Sequence, residues 1–291
     1  MKKKILILGV NGMLGYSILR YLEKNNNFET YGVLRDRNKL INQKNFRLEE
    51  NIKELNCLEI DRMKSFIRKI KPEFIINCTG IVKQNPAINN IPLSIELNSL
   101  FPHYLSNMSK TLNFKLIHFS TDCVFSGKSG NYKEEDFADA DDLYGRTKFL
   151  GEIKEKNCIT IRTSIIGPEL KNKWGLFSWF LSQKNTAKGF KNVIYSGLTT
   201  LEVAKIIEKY IIPNEKLEGL YHVSSIPIDK YSLLQIINKI YKKDIDIKKD
   251  LSSISDKSLN GLKFENATGY KPIEWETAIR QLRIFNKLNF N

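Results

Sequence analysis

Short runs of Ile, Leu, Val and Phe alternate with longer amphipathic stretches through the first half of the chain. The amphipathic stretches are typical of helices, whereas the short β-branched runs are typical of buried strands. This alternation predicts an α/β fold in which a doubly wound parallel sheet carries helices on both faces. The predicted strands cover residues 5–8, 31–34, 74–77, 116–120 and 159–163, and the predicted helices cover residues 14–23, 61–70, 91–112 and 143–156.

The regular alternation of strand-like and helix-like segments ends at Pro168. An aromatic stretch at 174–181 and a Tyr-Ser-Gly loop are followed by a predicted helix from Thr199 or Thr200, a strand at 219–223 and helices at 229–241 and from Trp275. We therefore expect a sheet domain over residues 1–167 and a smaller α/β substrate lobe over residues 168–291. Elements between about 198 and 223 are expected to return to the sheet domain.

Several classes of protein are disfavoured by composition. The four cysteines, at positions 57, 78, 123 and 158, show no metal-binding spacing, which favours reduced thiols, a cytoplasmic location and no metal site. No apolar run approaches the ~20 residues of a membrane helix. The net charge of +14 comes mainly from scattered lysines, with no recognisable nucleic-acid module. It indicates either a solvated surface or a field that attracts anionic ligands.

Three glycines follow the first predicted strand directly and open the first helix. Glycine allows a tight turn and close backbone approach, and the N–H groups at a helix N-terminus favour a pyrophosphate. This pattern predicts an NAD(P)-binding Rossmann domain. The expected contacts are Gly9, Asn11, Gly12, Met13, Leu14 and Gly15.

The end of the second strand bears on the choice of cofactor. NAD-specific proteins usually carry an acidic residue there for the ribose 2′-hydroxyl, whereas this chain has Arg35 followed by Asp36 and Arg37. Arg35 and Arg37 therefore favour the 2′-phosphate of NADPH. If the second strand ends one residue later than expected, Asp36 would lie at the ribose, so NADH stays an alternative.

Tyr144 and Lys148 lie four residues apart, which places them on one face of a helix. A tyrosine exchanges protons poorly at neutral pH unless a nearby ammonium stabilises its anion, and Lys148 is the candidate. Thr121, after a central strand, is the candidate for a hydroxyl that contacts the substrate oxygen. The three side chains predict a carbonyl-reducing or alcohol-oxidising site.

These motifs resemble those of the extended short-chain dehydrogenase/reductases, and more narrowly the dTDP-4-dehydrorhamnose reductase-like branch. The resemblance covers nearly the whole chain. The matching segments are residues 9–15, 76–81, 120–125, 144–148 with 151–152, and 162–167.

The resemblance implies hydride transfer from NADPH to the C4 keto group of a nucleoside diphosphate 4-keto-6-deoxy sugar, dTDP- or UDP-linked, for surface polysaccharide synthesis. It assigns Tyr144 as the acid, Lys148 as its partner on the nicotinamide ribose, and Thr121 as the hydroxyl that orients the carbonyl. The further cofactor contacts implied are Asn56, Cys78, Thr79, Gly80, Ser164 and Ile165, and Asn98 is a structural or relay residue. The substrate contacts implied are Lys83, Gln84, Thr121, Asp122, Cys123, Arg162, Trp174, Tyr195 and His222.

Other readings stay open. An epimerase or dehydratase with bound NAD is one alternative, although a dehydratase is expected to carry Asp-Glu after Thr121, where this chain has Asp122-Cys123. Cys123 matches the base of related epimerases, but we find no candidate acid between Pro168 and Gly197. A non-catalytic NADP-binding regulatory subunit is another alternative. The nucleotide base and the oligomeric state are undecided, and a homodimer is compatible with the resemblance.

Overall fold

A seven-stranded parallel sheet forms the centre of the computed structural model, which describes residues 2–37 and 51–289. Its strands are β1 (Lys3–Leu8), β2 (Phe28–Leu34), β3 (Ile52–Glu54), β4 (Phe74–Asn77), β5 (Lys115–Phe119), β6 (Cys158–Arg162) and β10 (Gly219–His222). The strand order is β10-β6-β5-β4-β1-β2-β3, so the direction of winding reverses between β1 and β4.

Both faces of this main sheet are covered. Alternate residues of β1 enter different apolar clusters, with Ile5 and Ile7 on one face and Leu6 and Leu8 on the other. Burial on both faces explains why these strands are continuous apolar runs. The helices of this part of the chain are α1 (Met13–Leu22), α2 (Ile60–Ile70), α3 (Ile91–Ile95), α4 (Phe101–Leu112), α5 (Leu143–Leu150) and α7 (Thr200–Ile206).

A second, smaller sheet lies in the C-terminal part of the chain, with strand order β11-β8-β12. Its apolar cluster is separate from the two clusters of the main sheet and includes Phe180, Leu233 and Ile279. The elements are α6 (Leu176–Ser182), β8 (Thr186–Tyr195), β11 (Ile228–Asp229), α8 (Lys230–Tyr241), β12 (Asp246–Asp256), α9 (Leu262–Thr268) and α10 (Trp275–Asn289), and a separate short pair joins β7 (Ile165–Ile166) to β9 (Leu198–Thr199).

After β8 of the small sheet, the chain returns to the main sheet with α7 and β10. Strand β10 pairs in parallel with β6 at the edge of the main sheet. Helix α7 packs on α1, and its residues Val203 and Ala204 belong to a core cluster of the main sheet. Within the described ranges, no helix is both long and apolar enough to cross a bilayer.

The predicted fold class is confirmed, and the five predicted strands are all present. The structure differs from the prediction in the end of one helix and in several strands that were not predicted. Helix α5 ends at Leu150 rather than at 156, where Gly151 and the following residues turn away from it. The strands β3, β7, β8, β9, β11 and β12 were not predicted. Of these, β3, β7, β9 and β11 span only two or three residues, and the two long strands, β8 and β12, are only partly buried.

Candidate active site

A cleft of about 650 Å³ opens at the carboxyl ends of β1, β4 and β5, between the main sheet and the C-terminal elements. This edge of a doubly wound sheet, where the winding reverses, is the usual ligand site of such folds. The cleft is lined by many of the residues singled out in the sequence: Asn11, Gly12, Met13, Leu14, Cys78, Thr79, Gly80, Lys83, Gln84, Thr121, Asp122, Cys123, Tyr144, Lys148, Ser164, Ile165, Trp174 and Tyr195.

The glycine turn between β1 and α1 forms one end of the cleft. Gly9 has a φ of +81°, which is a conformation that side chains disfavour. A Cβ at Gly15 would lie 2.3 Å from the Gly9 carbonyl oxygen, so only glycine lets the helix pack this close to the turn. The N-cap, Gly12, offers no side-chain acceptor to the first turn of α1. This cradle therefore fits the pyrophosphate of a dinucleotide.

Strand β2 ends at Leu34, so Arg35 is the first residue beyond the strand. Leu34 pairs with Glu54 of β3, and the Arg37 guanidinium donates to the carbonyl oxygen of Ile52. Asn56 follows β3, where its side-chain oxygen accepts from the Leu58 N–H at 3.2 Å. The arginines thus stand at the carboxyl edge of the main sheet, outside the residues that line the cleft.

Two asparagines hold the segment that follows β4. The Asn77 side-chain oxygen accepts from the Thr79 N–H at 3.1 Å and from the Thr79 hydroxyl at 2.6 Å. Asn98 lies in a π-helical turn at Glu96–Leu100, accepting from the Ile81 N–H at 2.8 Å and donating to the Ile81 carbonyl at 3.0 Å. These bonds fix the wall of the cleft, and they account for Asn98 without a ligand.

Thr121 caps a short 3₁₀ turn at Asp122–Val124, directly after β5. Its hydroxyl accepts from the Cys123 N–H at 3.1 Å and donates to Asp122 Oδ1 at 3.1 Å. Burial raises the pKa of the Asp122 carboxyl, and burial together with the Asp122 charge raises the pKa of the Cys123 thiol to about 12. Cys123 is therefore a neutral thiol at physiological pH.

Helix α5 brings Tyr144 and Lys148 to the floor of the cleft. Asp142 starts the helix by accepting from the Gly145 N–H at 2.9 Å. Desolvation and the nearby Cys123 raise the pKa of Tyr144, while a hydrogen bond with Thr121 opposes the rise. Tyr144 is thus protonated at neutral pH, as a proton donor must be.

Lys148 is buried, and its ammonium donates to the carbonyl oxygen of Phe119 at 2.5 Å. Burial lowers the pKa of Lys148 to about 8, and the nearby Glu152 carboxylate opposes this change. The group is therefore mostly charged at pH 7. The ammonium lies beneath the strand end that carries Thr121, one helical turn from Tyr144.

Two predicted substrate contacts lie elsewhere. Arg162 and His222 are fully buried and do not line the cleft. Arg162 forms two hydrogen bonds with Glu152, at 2.7 and 2.8 Å, and contacts His222 Nε2 at 3.2 Å. Its guanidinium lies 5.1 Å from the centre of the Phe125 ring. The structure thus places both side chains beneath the cleft, in contact with each other and with Glu152, and their role as substrate contacts stays a prediction.

The C-terminal part of the chain contributes cleft residues that sequence reasoning missed. Lys230 and Lys257 line the cleft, as does Glu169. Glu169 accepts from the Gly175 N–H at 2.8 Å, at the end of the cleft near Met13. No local signal distinguishes the two lysines among 46 basic residues, because their position depends on how β12 and α8 pack.

Comparison with known proteins points to one family. The chain is 24% identical to a dTDP-4-dehydrorhamnose reductase of Aggregatibacter actinomycetemcomitans, over 97% of this chain and 99% of the relative. It is 26% identical to methionine adenosyltransferase 2 subunit beta of Bos taurus, but over only 52% of this chain and 42% of that protein.

Among solved structures, dTDP-4-dehydrorhamnose reductase from Bacillus anthracis in complex with NADP superposes with a TM-score of 0.78 at 21% identity, covering 98% of both chains. This likeness supports the fold. The family model for the RmlD substrate binding domain matches residues 2–282. Because that match spans nearly the whole chain, the protein belongs to the RmlD substrate binding domain family, within the extended short-chain dehydrogenase/reductases.

Proposed function

We propose that this protein is an NADPH-dependent reductase acting on the C4 keto group of a nucleoside diphosphate 4-keto-6-deoxy sugar. The observation that carries the proposal is the joint placement of Thr121, Tyr144 and Lys148 in a cleft that also reaches the glycine cradle of α1. The dTDP-4-dehydrorhamnose reductase named above supports the same class of substrate. A role in surface polysaccharide synthesis stays a prediction.

In this proposal each group of residues has a distinct role. Gly9 to Gly15 and Ser164 hold the dinucleotide, whose nicotinamide supplies the hydride when bound. Tyr144 donates its proton to the oxygen of the reduced carbonyl, because its raised pKa keeps it protonated until that oxygen becomes basic. Thr121 orients the same oxygen, and the buried ammonium of Lys148 stabilises the tyrosinate that the proton transfer leaves behind.

A screen of NADPH oxidation tests this proposal. The purified protein would be mixed with NADPH and a panel of dTDP-, UDP- and GDP-linked 4-keto-6-deoxy sugars. We expect oxidation with at least one dTDP or UDP member and a C4 alcohol as product. A protein that binds NADPH but oxidises it with none of these sugars would overturn the proposal. That result would favour a non-catalytic cofactor-binding role, the second candidate suggested by the partial likeness to a methionine adenosyltransferase subunit.

Cofactor preference provides the first prediction. Because Arg35 directly follows β2, we expect the Arg35→Asp variant to lose a charge-assisted contact with the 2′-phosphate worth about 1.5–3 kcal/mol. The ratio of kcat/KM with NADPH to that with NADH should fall by at least about tenfold. The control is Arg68→Asp, at an exposed position in the last turn of α2. An unchanged ratio of kcat/KM values in Arg35→Asp would show that another residue binds the 2′-phosphate.

The second prediction is that the protein reduces without epimerising. The pKa of the Cys123 thiol is raised to about 12, so the thiol is protonated at neutral pH and is not available as a base. None of the three histidines lines the described cleft. Glu169, the carboxyl between 168 and 197 that does line it, lies at the Met13 end. In D₂O, mass spectrometry of the product should show no deuterium at the carbons flanking C4 beyond the enzyme-free rate. Enzyme-dependent incorporation that is abolished by Cys123→Ser would instead indicate a bifunctional enzyme.

A further inference from the structure

The two residues directly before Thr121 are held by side chains from the end of α5 and from the turn that follows it. The Lys148 ammonium donates to the Phe119 carbonyl oxygen at 2.5 Å, and the Ser120 hydroxyl donates to Glu152 Oε1 at 2.7 Å. Lys148 and Glu152 thus contact consecutive residues at the point where β5 ends. The position of Thr121 in the cleft therefore depends on both of them.

The turn after α5 brings the Glu152 side chain into the interior. The Gly151 N–H donates to the Lys148 carbonyl oxygen at 3.2 Å, which closes the last turn of the helix. A Cβ at Gly151 would overlap the Asn98 carbonyl oxygen, so only glycine lets the chain turn here against the π-helical segment. As a result the Glu152 side chain is only 3% exposed.

Arg162, at the end of β6, holds the buried carboxylate in place. Its guanidinium donates to both Glu152 oxygens, at 2.7 and 2.8 Å, and the Ser120 hydroxyl is a third donor. A buried ion pair is often no more stabilising than well-packed apolar side chains of similar volume. Its place directly beneath the residues of the proposed catalytic site is therefore better accounted for by a role in the reaction as well as in stability.

The Glu152 carboxylate is also a negative charge that acts on Lys148. Burial lowers the pKa of Lys148 to about 8, and Glu152 opposes this change. The other titratable groups beside Lys148 are uncharged at neutral pH. Desolvation raises the pKa of the Cys78 thiol after β4 and of the Tyr144 hydroxyl on α5, and it lowers the pKa of His118 on β5 well below its usual value. Among these described neighbours, Glu152 is thus the anion that favours the ammonium.

We propose that Glu152 is a positioning residue of the reduction, whose carboxylate keeps the Lys148 ammonium charged and fixes the strand end that carries Thr121. Arg162 and Ser120 hold that carboxylate beneath the cleft. The inference rests on the proposed function and deepens it, because Lys148 stabilises the tyrosinate only while it carries its charge.

The affinity for NADPH as a function of pH tests this charge without relying on turnover, because Lys148 is expected to contact the nicotinamide ribose. Fluorescence titrations between about pH 6 and pH 10 would compare wild type with Glu152→Gln. In wild type the affinity should fall about tenfold as the pH rises through the pKa of Lys148, about 8. Removing the carboxylate lowers that pKa, so the midpoint of the fall in Glu152→Gln should lie about one pH unit lower or more.

The pH dependence of ketosugar reduction should move in the same direction. The alkaline limb of kcat/KM in Glu152→Gln should shift to lower pH by the same amount as the binding midpoint, so that turnover lost under alkaline conditions is partly recovered on acidification. Glu152→Asp keeps the charge and should retain the wild-type limb. Ser120→Ala also keeps the charge but frees the strand end, so it should lower kcat and leave the limb in place.

The matched control is Glu155→Gln, since the Glu155 side chain is 45% exposed and pairs with Lys110. Its midpoint should equal that of wild type. If Glu152→Gln does not fold, the double variant Glu152→Gln, Arg162→Met, which leaves no unpaired buried charge, should show the lowered midpoint.

Three results would overturn the inference: an unmoved midpoint in the charge-removing variant that folds, an equal shift in Glu155→Gln, or a wild-type affinity that is independent of pH over this range. A lowered midpoint in Glu152→Gln without NADPH oxidation in the ketosugar panel would overturn the reaction instead, and would leave the effect of Glu152 on the Lys148 charge standing.

Discussion

Replacing Tyr144 by phenylalanine is expected to lower kcat for ketosugar reduction by about 10²- to 10⁴-fold, the range typical of a lost general acid. The change removes only the hydroxyl that, with its raised pKa, holds the proton to be delivered. The ring stays in the cleft, so the Kd for NADPH should change little. Steady-state kinetics with the best ketosugar of the panel, together with a fluorescence titration of NADPH, would measure both quantities.

The matched control for this variant is Tyr104→Phe, because Tyr104 is 41% exposed on α4 and does not line the cleft. Its kcat should equal that of wild type. Turnover by Tyr144→Phe within a few-fold of wild type would mean that another group delivers the proton. Equal losses of turnover and of NADPH affinity would mean that the ring mainly shapes the cofactor site.

The largest expected effect on stability concerns the ion pair beneath the site. Arg162→Ala should lower the free energy of unfolding by about 3–5 kcal/mol, because the Glu152 carboxylate is left in the interior without its cation. Both side chains of the pair are only 2–3% exposed. Glu152 would retain the hydrogen bond from the Ser120 hydroxyl at 2.7 Å, which is too little to replace a bidentate guanidinium. Urea unfolding followed by circular dichroism would give the difference.

Two further variants show whether burial is the cause. Lys239→Met breaks an exposed pair with Glu276, where the lysine side chain is 69% exposed, and should change stability by less than about 1 kcal/mol. The double variant Glu152→Gln, Arg162→Met removes both charges and should be more stable than Arg162→Ala. If Arg162→Ala costs no more than Lys239→Met, water reaches the pair and the explanation is wrong.

Six of the seven strands of the main sheet, all except the short edge strand β3, were predictable because parallel strands covered on both faces must be apolar throughout. Strand β4 has the expected bounds, 74–77, and β6 begins and ends one residue before the expected range of 159–163. The strands of the small sheet were not predicted, because they are not continuous apolar runs. In β12 most side chains are polar and partly exposed, so pairing with β8, rather than any periodic pattern, defines the strand.

For Arg162 and His222 the sequence alone does not distinguish a substrate contact from a buried structural contact. Arginine and histidine are common in both settings, and Arg162 lies in a segment that matches the family. Only the tertiary structure reveals that β6 and β10 are neighbours in register, with Arg162 opposite His222, and that Glu152 is close enough to neutralise the guanidinium. In this structure the Arg162 guanidinium is therefore engaged by Glu152 and His222 beneath the cleft.

The sequence by itself determined the doubly wound sheet, the glycine cradle and the grouping of Tyr144 with Lys148, because these features depend on short-range spacing and on the order of elements along the chain. Only the tertiary structure decided which side chains form the opposite wall of the cleft. Lys230 and Lys257 come from elements whose position is set by packing across the small sheet. The electrostatic surroundings of Asp122 were likewise undetermined, since burial and through-space charge depend on distances that no local pattern encodes.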